Sequence, residues 1–178
     1  LIPTYLHNSF VEFILDDANS GQNPYGALAV PALASAVGVA HTQPQIGVVA
    51  ADTALEGYNG AFAGQVVLFE EREPLGESDN TLKMLRKVQE DNDDTFDGKA
   101  WLRARMLDFY IADWDRHEDQ WRWHDINKDS KEGRLYIPVP RDRDQALRYA
   151  EGLLSTLIYQ PIFQPTMQTF TPKMGKFN

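Results

Sequence analysis

The feature that most narrows the folds open to this chain is a change of hydrophobic period between residues 120 and 140. "QWRWHDI" alternates along its length, "NKDSKEG" is turn-rich, and "RLYIPVP" alternates again, which reads as a β-hairpin. Each outer end of this hairpin carries a crowd of charge: "DWDRHEDQ" (113–120) enters the first strand and "RDRDQ" (141–145) leaves the second. Antiparallel strands of similar length return to the same end. The expectation is therefore that Asp113, Asp115, His117, Asp119 and Gln120 converge on Arg141, Asp142, Arg143 and Asp144.

The rest of the chain supplies the frame. Residues 9–19 and 25–39 read as helices, the first with Phe10, Phe13 and Ile14 at helical spacing and Ser9 as N-cap. In the second, Pro31 falls in the first turns or kinks the helix. "QIGVVAADTAL" and "FAGQVVLFEERE" read as a strand pair around the turn "EGYNGA". After the linker "PLGESDN", Ser78 or Asp79 is expected to cap a helix over "TLKMLRKVQEDN" with Leu82, Leu85 and Val88 on its buried face. A second helix, "KAWLRARMLDFYIA", is expected to bury Trp101, Leu102, Met106, Phe109 and Tyr110. A last helix is expected over "DQALRYAEGLLSTLIYQ". Helices, a strand pair, helices and a hairpin in that order give an α+β class.

Composition excludes several functions. A net charge of −9 argues against nucleic acid, whose phosphates need clustered Lys and Arg. It leaves a local phosphate ligand open. The absence of cysteine removes disulfides, thiol catalysis and Cys-based zinc sites, and suits a periplasmic or a cytoplasmic protein equally. No apolar run approaches the about 20 residues needed to cross a bilayer. The opening "LIPTYLHNSF", without an initiator Met or a leader pattern, reads as a segment of a longer protein.

Two acidic stretches are set aside. "DINKDSKEG" places Asp125, Asn127 and Asp129 at calcium-loop spacing, but Ser130 and Tyr136 stand where that loop needs Gly and Glu, so a hairpin turn is expected. "DNDDTFDG" reads as a solvated connection. His7, His41 and His124 have no polar context of this kind and read as packing or surface histidines.

In the convergent clusters, like charges raise one another's pKa. A divalent cation such as Mg²⁺ held by carboxylate and amide oxygens would resolve that conflict. Arg116, Arg141 and Arg143 would equally resolve it by neutralising the acids internally, or would bind phosphate. Trp114, Trp121 and Trp123 read as anchors to the core.

Asp115-Arg116-His117-Glu118-Asp119-Gln120, a hairpin and then Asp142 resembles the catalytic loop and metal-binding Asp of the phosphoinositide 3-kinase-like and HipA-type atypical kinases. The resemblance implies an atypical protein-kinase-like fold, mainly the helical lobe (75–178) with part of the small lobe (1–74), joined in one compact unit and with the N-terminal strands missing. It implies Asp115 as the acceptor-orienting base, supported by Asp113, Arg116 and His117. Gln120 and Asp142 are implied as metal ligands with Asp119 and Asp144 auxiliary. "VVLFEERE" would be the hinge, with Glu70, Arg141 and Arg143 toward a nucleotide, and Glu12, Asp16 or Asp17 would supply the acid of the helix at 9–19. The implied cofactors are Mg²⁺ and ATP or another nucleotide. Gln replaces the family's Asn, and neither a Gly-rich phosphate loop nor a strand lysine is present.

"FAGQVVLFEERE" and "RARMLDFYIADWDRHEDQWRW … PRDRDQA" also resemble bacterial segments attached to calcineurin-like metallophosphoesterase and outer-membrane surface-antigen regions. That resemblance implies neighbouring domains as partners and a periplasmic or outer-membrane-associated setting. Three functions follow as expectations: Mg²⁺-dependent phosphoryl transfer to an acceptor, with this segment inactive by itself; a non-catalytic kinase-like binding or assembly module; and a metal-dependent phosphoester hydrolase.

Overall fold

The computed structural model describes residues 21–128, 130, 132–149 and 170. The expected helix at 9–19, its Ser9 cap, Glu12, Asp16 and Asp17, and His7 lie outside these residues, as does the chain beyond 149 apart from 170.

Among the described residues the protein is α+β, with four α-helices and two small sheets. The elements are α1 (Gly26–Ala36), β1 (Gln45–Val48), a 3-10 turn (Thr53–Tyr58), α2 (Asn59–Phe62), β2 (Val66–Phe69), β3 (Ser78–Asn80), α3 (Thr81–Glu90), β4 (Thr95–Phe96), α4 (Gly98–Tyr110), a 3-10 turn (Glu118–Gln120), β5 (Trp121–Asp125) and β6 (Leu135–Pro140).

The expected hairpin is present and central. β5 and β6 are antiparallel, with Trp121 opposite Pro140 and Asp125 opposite Tyr136. They lie in a four-stranded sheet of order β3-β5-β6-β4, in which β4 runs parallel to β6. Pro138 and Pro140 are accommodated by direction. The odd positions of β6 turn inward to β5, and the Arg141 amide beyond them donates to Gln120 O at 2.9 Å. The even positions turn outward, where Arg134 and Tyr136 carbonyls accept from Thr95 and Asp97 at 2.9 and 2.8 Å. Past the end of β4 no ladder bond is demanded there, so the prolines cost none. At the other end Asp125 Oδ1 accepts the Asn127 amide at 2.9 Å, making the expected turn.

The core joins α1, α3, α4 and the hairpin. Val30, Ala34, Met84, Ala104, Leu107, Ile111, Trp121, Trp123 and Tyr136 pack in one cluster. α1 runs through Pro31 without interruption. Gly26 at its start is indispensable by contact, because a Cβ there would meet Ala146 O at 2.2 Å. That approach presses the start of α1 onto the "RDRDQ" loop.

Several expectations are corrected. Asn80, not Ser78 or Asp79, caps α3 by accepting from Lys83 N at 2.8 Å, because Ser78–Asn80 is itself a strand on β5. α3 faces the core with Met84 and Val88, while Leu82 and Leu85 are exposed. α4, capped by Asp97, turns Ala104, Leu107 and Asp108 inward and leaves Trp101, Leu102, Met106 and Tyr110 exposed. Residues 144–147 form a turn, not the start of a helix, with Leu147 at φ 59° and its amide bonded to Ile111 O at 2.8 Å.

The expected strand pair is also present: β1 and β2 are antiparallel from Gln45 opposite Phe69 to Val48 opposite Val66. Ile46, Val48, Val66 and Leu68 lie on one face of this ribbon and are exposed.

Candidate functional site

The two charged loops meet, as the hairpin demands, and they separate into an inner and an outer set. The inner set is ionic and buried. Asp108, on the core face of α4, accepts from Arg116 Nε and Arg105 Nη1, both at 3.1 Å. Arg143 Nη2 lies 3.1 Å from the other Asp108 oxygen. Arg116 Nη2 donates to Asp113 Oδ2, and its Nη1 donates to the Arg141 carbonyl and to Gln120 Oε1. Its guanidinium lies 5.6 Å from the Trp121 ring centroid, a cation–π contact that fixes its plane. Burial raises the Asp113 carboxyl to about 6, with Arg116 opposing and Asp108 reinforcing the rise. Arg116 itself is held above its ordinary value: burial works against its charge, and Asp113 and Asp108 outweigh burial.

Asp113 and Arg116 therefore stand in the interior as structural members. Asp108 is a participant that the sequence reading passed over. Its signal is a lone acid inside the apolar run "ARMLDFYIA", at a position the helix turns to the core.

The outer set is Asp115, His117, Asp119, Asp142 and Asp144. Asp115 is half-buried, Asp142, His117 and Asp119 are exposed, and Asp144 is half-buried. Burial raises the Asp115 carboxyl and Asp142 adds to the rise, while His117 and Arg116 oppose it. Asp144 is raised by burial and then by Asp142, with Asp115 contributing, against hydrogen bonds from Gln145 and Gln22. Three carboxylates from the two loops thus feel one another. Asp142 also holds a left-handed backbone, φ 54°, a conformation an Asp adopts at a cost that its surroundings must offset.

Gln120 joins the two sets. Its Oε1 accepts from Arg116 at 3.2 Å and its Nε2 faces Asp142 Oδ2 at 3.5 Å. The side chain presents Asp142 with a donor, so its oxygen is committed to Arg116. Among the described residues no group of three or more His, Asp or Glu side chains is arranged to hold a metal ion. The donor set expected for Mg²⁺ is not assembled in this arrangement.

Glu70, immediately after β2, ties the ribbon to the site. Its carboxylate accepts the Asp142 amide at 3.0 Å through Oε2 and the Thr42 hydroxyl at 2.5 Å through Oε1. Thr42 is buried and was not singled out in the sequence. Among the described residues, half-buried Arg141 has no hydrogen bond at Nε, and buried Arg143 has none at Nε, Nη1 or Nη2 beyond the Nη2 ion pair with Asp108. Burial, then Arg116, lowers the Arg143 pKa against the pull of Asp108, Asp113 and Glu70.

A cleft of about 340 Å³ opens at the far end of the same hairpin, floored by Trp123 and Tyr136 and walled by Asp79, Asp94, Lys87 and Arg134. Its walls are internally paired. Asp79 is contacted by Lys83, Lys87 and the Tyr136 hydroxyl at 2.6, 2.6 and 3.1 Å, and Asp94 by Arg134 at 2.5 Å. No protein-family model, curated protein sequence or solved structure matches the chain.

Proposed function

We propose that the chain is a kinase-like module that acts by binding, with its acid–arginine alternation serving as an internal framework. The observation that carries this reading is the buried network in which Arg116 spans Asp108 and Asp113, with Arg105 also on Asp108. An arginine buried between two carboxylates is consumed by them, and groups so engaged are not free to exchange onto a reacting phosphate. The neighbouring domains implied by the resemblance, phosphoesterase or outer-membrane, are then what such a module would be attached to.

A second reading, phosphoryl transfer, draws on the outer set. Burial and then the Asp142 charge raise the Asp115 and Asp144 carboxyls, and Asp115 adds to the rise at Asp144, which is the electrostatic condition a cation relieves. Asp115 and Asp142 would be the residues facing such an ion. No step is assigned through the metal, because the oxygen of Gln120 is turned to Arg116.

Thermal unfolding with and without Mg–ATP separates the two. The binding-module reading expects a shift below about 1 °C. A rise of several degrees, lost in Asp142→Asn, would replace it with the transferase reading.

A further inference from the structure

We propose that the Glu70 carboxylate occupies an anion subsite, built from the Thr42 hydroxyl, the Asp142 amide and the Arg143 guanidinium, which takes a phosphate group when Glu70 swings out. The inference rests on the binding reading above and needs no phosphoryl transfer.

The donors are in place and already hold an anion. Thr42 Oγ1 and Asp142 N converge on the two Glu70 oxygens, at 2.5 and 3.0 Å. The Asp142 amide can point there because its residue is left-handed at φ 54°, which turns N–H and side chain to different neighbours. The carboxylate of Asp142 goes to Gln120 Nε2 at 3.5 Å, leaving its amide to Glu70. Backbone N–H, hydroxyl and guanidinium together are the donor set by which proteins hold phosphate.

Arg143 is the part Glu70 leaves unsatisfied. It lines the same small cavity as His41, Thr42, Glu70 and Pro140. Its side chain is 6% exposed, its Nη2 is ion-paired with Asp108 at 3.1 Å, and among the described residues Nε and Nη1 have no hydrogen-bond partner. A buried donor without a partner carries its full desolvation cost, so Nε and Nη1 on this one side chain call for an acceptor. The Glu70 carboxylate directs its two oxygens at Thr42 and Asp142. A tetrahedral phosphate has further oxygens to direct at Arg143.

Charge agrees. Beneath the cavity, the guanidiniums of Arg105, Arg116 and Arg143 stand against the carboxylates of Asp108 and Asp113. The Asp142 carboxylate also acts on Arg116, so with Glu70 withdrawn these six side chains balance and an incoming anion takes the place of the Glu70 charge. With Glu70 in place, the space beside it has room for about one water, so entry requires the side chain to move.

The subsite also reverses the expectation for Glu70. A residue that contacts the ligand weakens binding when removed, whereas a resident anion strengthens it. The test is titration of inorganic phosphate into the wild-type chain, Glu70→Ala, Glu70→Gln and Glu70→Ala/Thr42→Val, by calorimetry in EDTA, with circular dichroism as the check of folding. Glu70→Ala is expected to bind phosphate at least about tenfold more tightly than wild type, and Glu70→Gln, which keeps the side-chain shape, severalfold more tightly. The added Thr42→Val is expected to abolish the gain. Natively folded Glu70→Ala and Glu70→Gln chains that bind no better than wild type would overturn the proposal. So would a gain that survives Thr42→Val, which would place the phosphate elsewhere. EDTA keeps the result separate from the Mg–ATP response that decides between module and transferase.

Discussion

The Arg116 guanidinium and the Asp113 carboxylate, three residues apart, are locked together with 1% of one side chain and none of the other exposed. Arg116 also serves Asp108, so its removal would strand two carboxylates in the interior. Arg116→Met is expected to destabilise the fold by about 3–5 kcal/mol, the cost of breaking a buried ion pair from one side. Arg116→Lys should recover only part of it, since an ammonium cannot reproduce the fork that reaches Asp108, Asp113, Gln120 and the Arg141 carbonyl. Urea unfolding of the two variants measures both values, and a loss within 0.5 kcal/mol of zero, the range typical of surface changes, would contradict the structural role given to Arg116.

Asp113 sets a distinctive pH dependence. Its carboxyl rises from 3.8 to about 6 on folding, so the folded state binds the proton more tightly. Its contribution is most favourable below pH 3.8, declines as pH rises toward 6, and is constant above. Asp79 and Asp94 have the opposite sign: burial raises both, their hydrogen bonds from Lys83, Lys87 and Tyr136, and from Arg134, outweigh it, and the resulting stability is lost as pH falls. Between pH 4 and 6.5 the stability of Asp113→Asn relative to wild type should therefore climb with pH and then level off. A difference that is flat across this window would mean that Asp113 is not the titrating group.

The outer carboxylates offer a direct reading of proximity. Asp142 raises Asp115 and Asp144, after burial has raised each. In Asp142→Asn, which keeps the tolerance for a left-handed backbone, both carboxyl groups should titrate at lower pH than in wild type. Carbon-detected NMR titration follows each group separately, and an unmoved Asp115 would separate the two loops.

Gly133 leads into β6 at φ 84°, and a Cβ there would meet Asp93 O at 2.2 Å. Gly133→Ala combines an unfavourable backbone with a collision against backbone. It should cost more than about 1–3 kcal/mol, measured by thermal or urea unfolding. An equal-stability Gly133→Ala chain would show that Gly133 and Asp93 do not approach in this way.

How far the sequence was legible follows a physical line. The hairpin and the meeting of its charged ends were readable, because alternation and turn chemistry are local and antiparallel geometry does the rest. On α4 the inward face carries Ala104, Leu107 and Asp108 while Trp101, Leu102 and Met106 are exposed, so hydrophobicity alone does not mark the buried face of this helix. The α3 cap was misplaced because Ser78–Asn80 pairs with β5, a partner more than forty residues away. In the charged clusters the residue types were legible and their assignment to inside or outside was not. The deciding group, Asp108, lies on a different element, and only tertiary packing brings it beneath Arg116 and Arg143.

Pro138 and Pro140 make the hairpin a ruler. Slide β6 by one residue and both ring nitrogens would face β5, where the ladder requires a proton neither can give. The spacing that brings Gln120 to Asp142 is thus enforced by two missing hydrogens, set back two and four residues from Asp142 along the same strand edge. The outward nitrogens also offer an incoming strand nothing to accept, so the edge beside the charged loops is closed to further pairing.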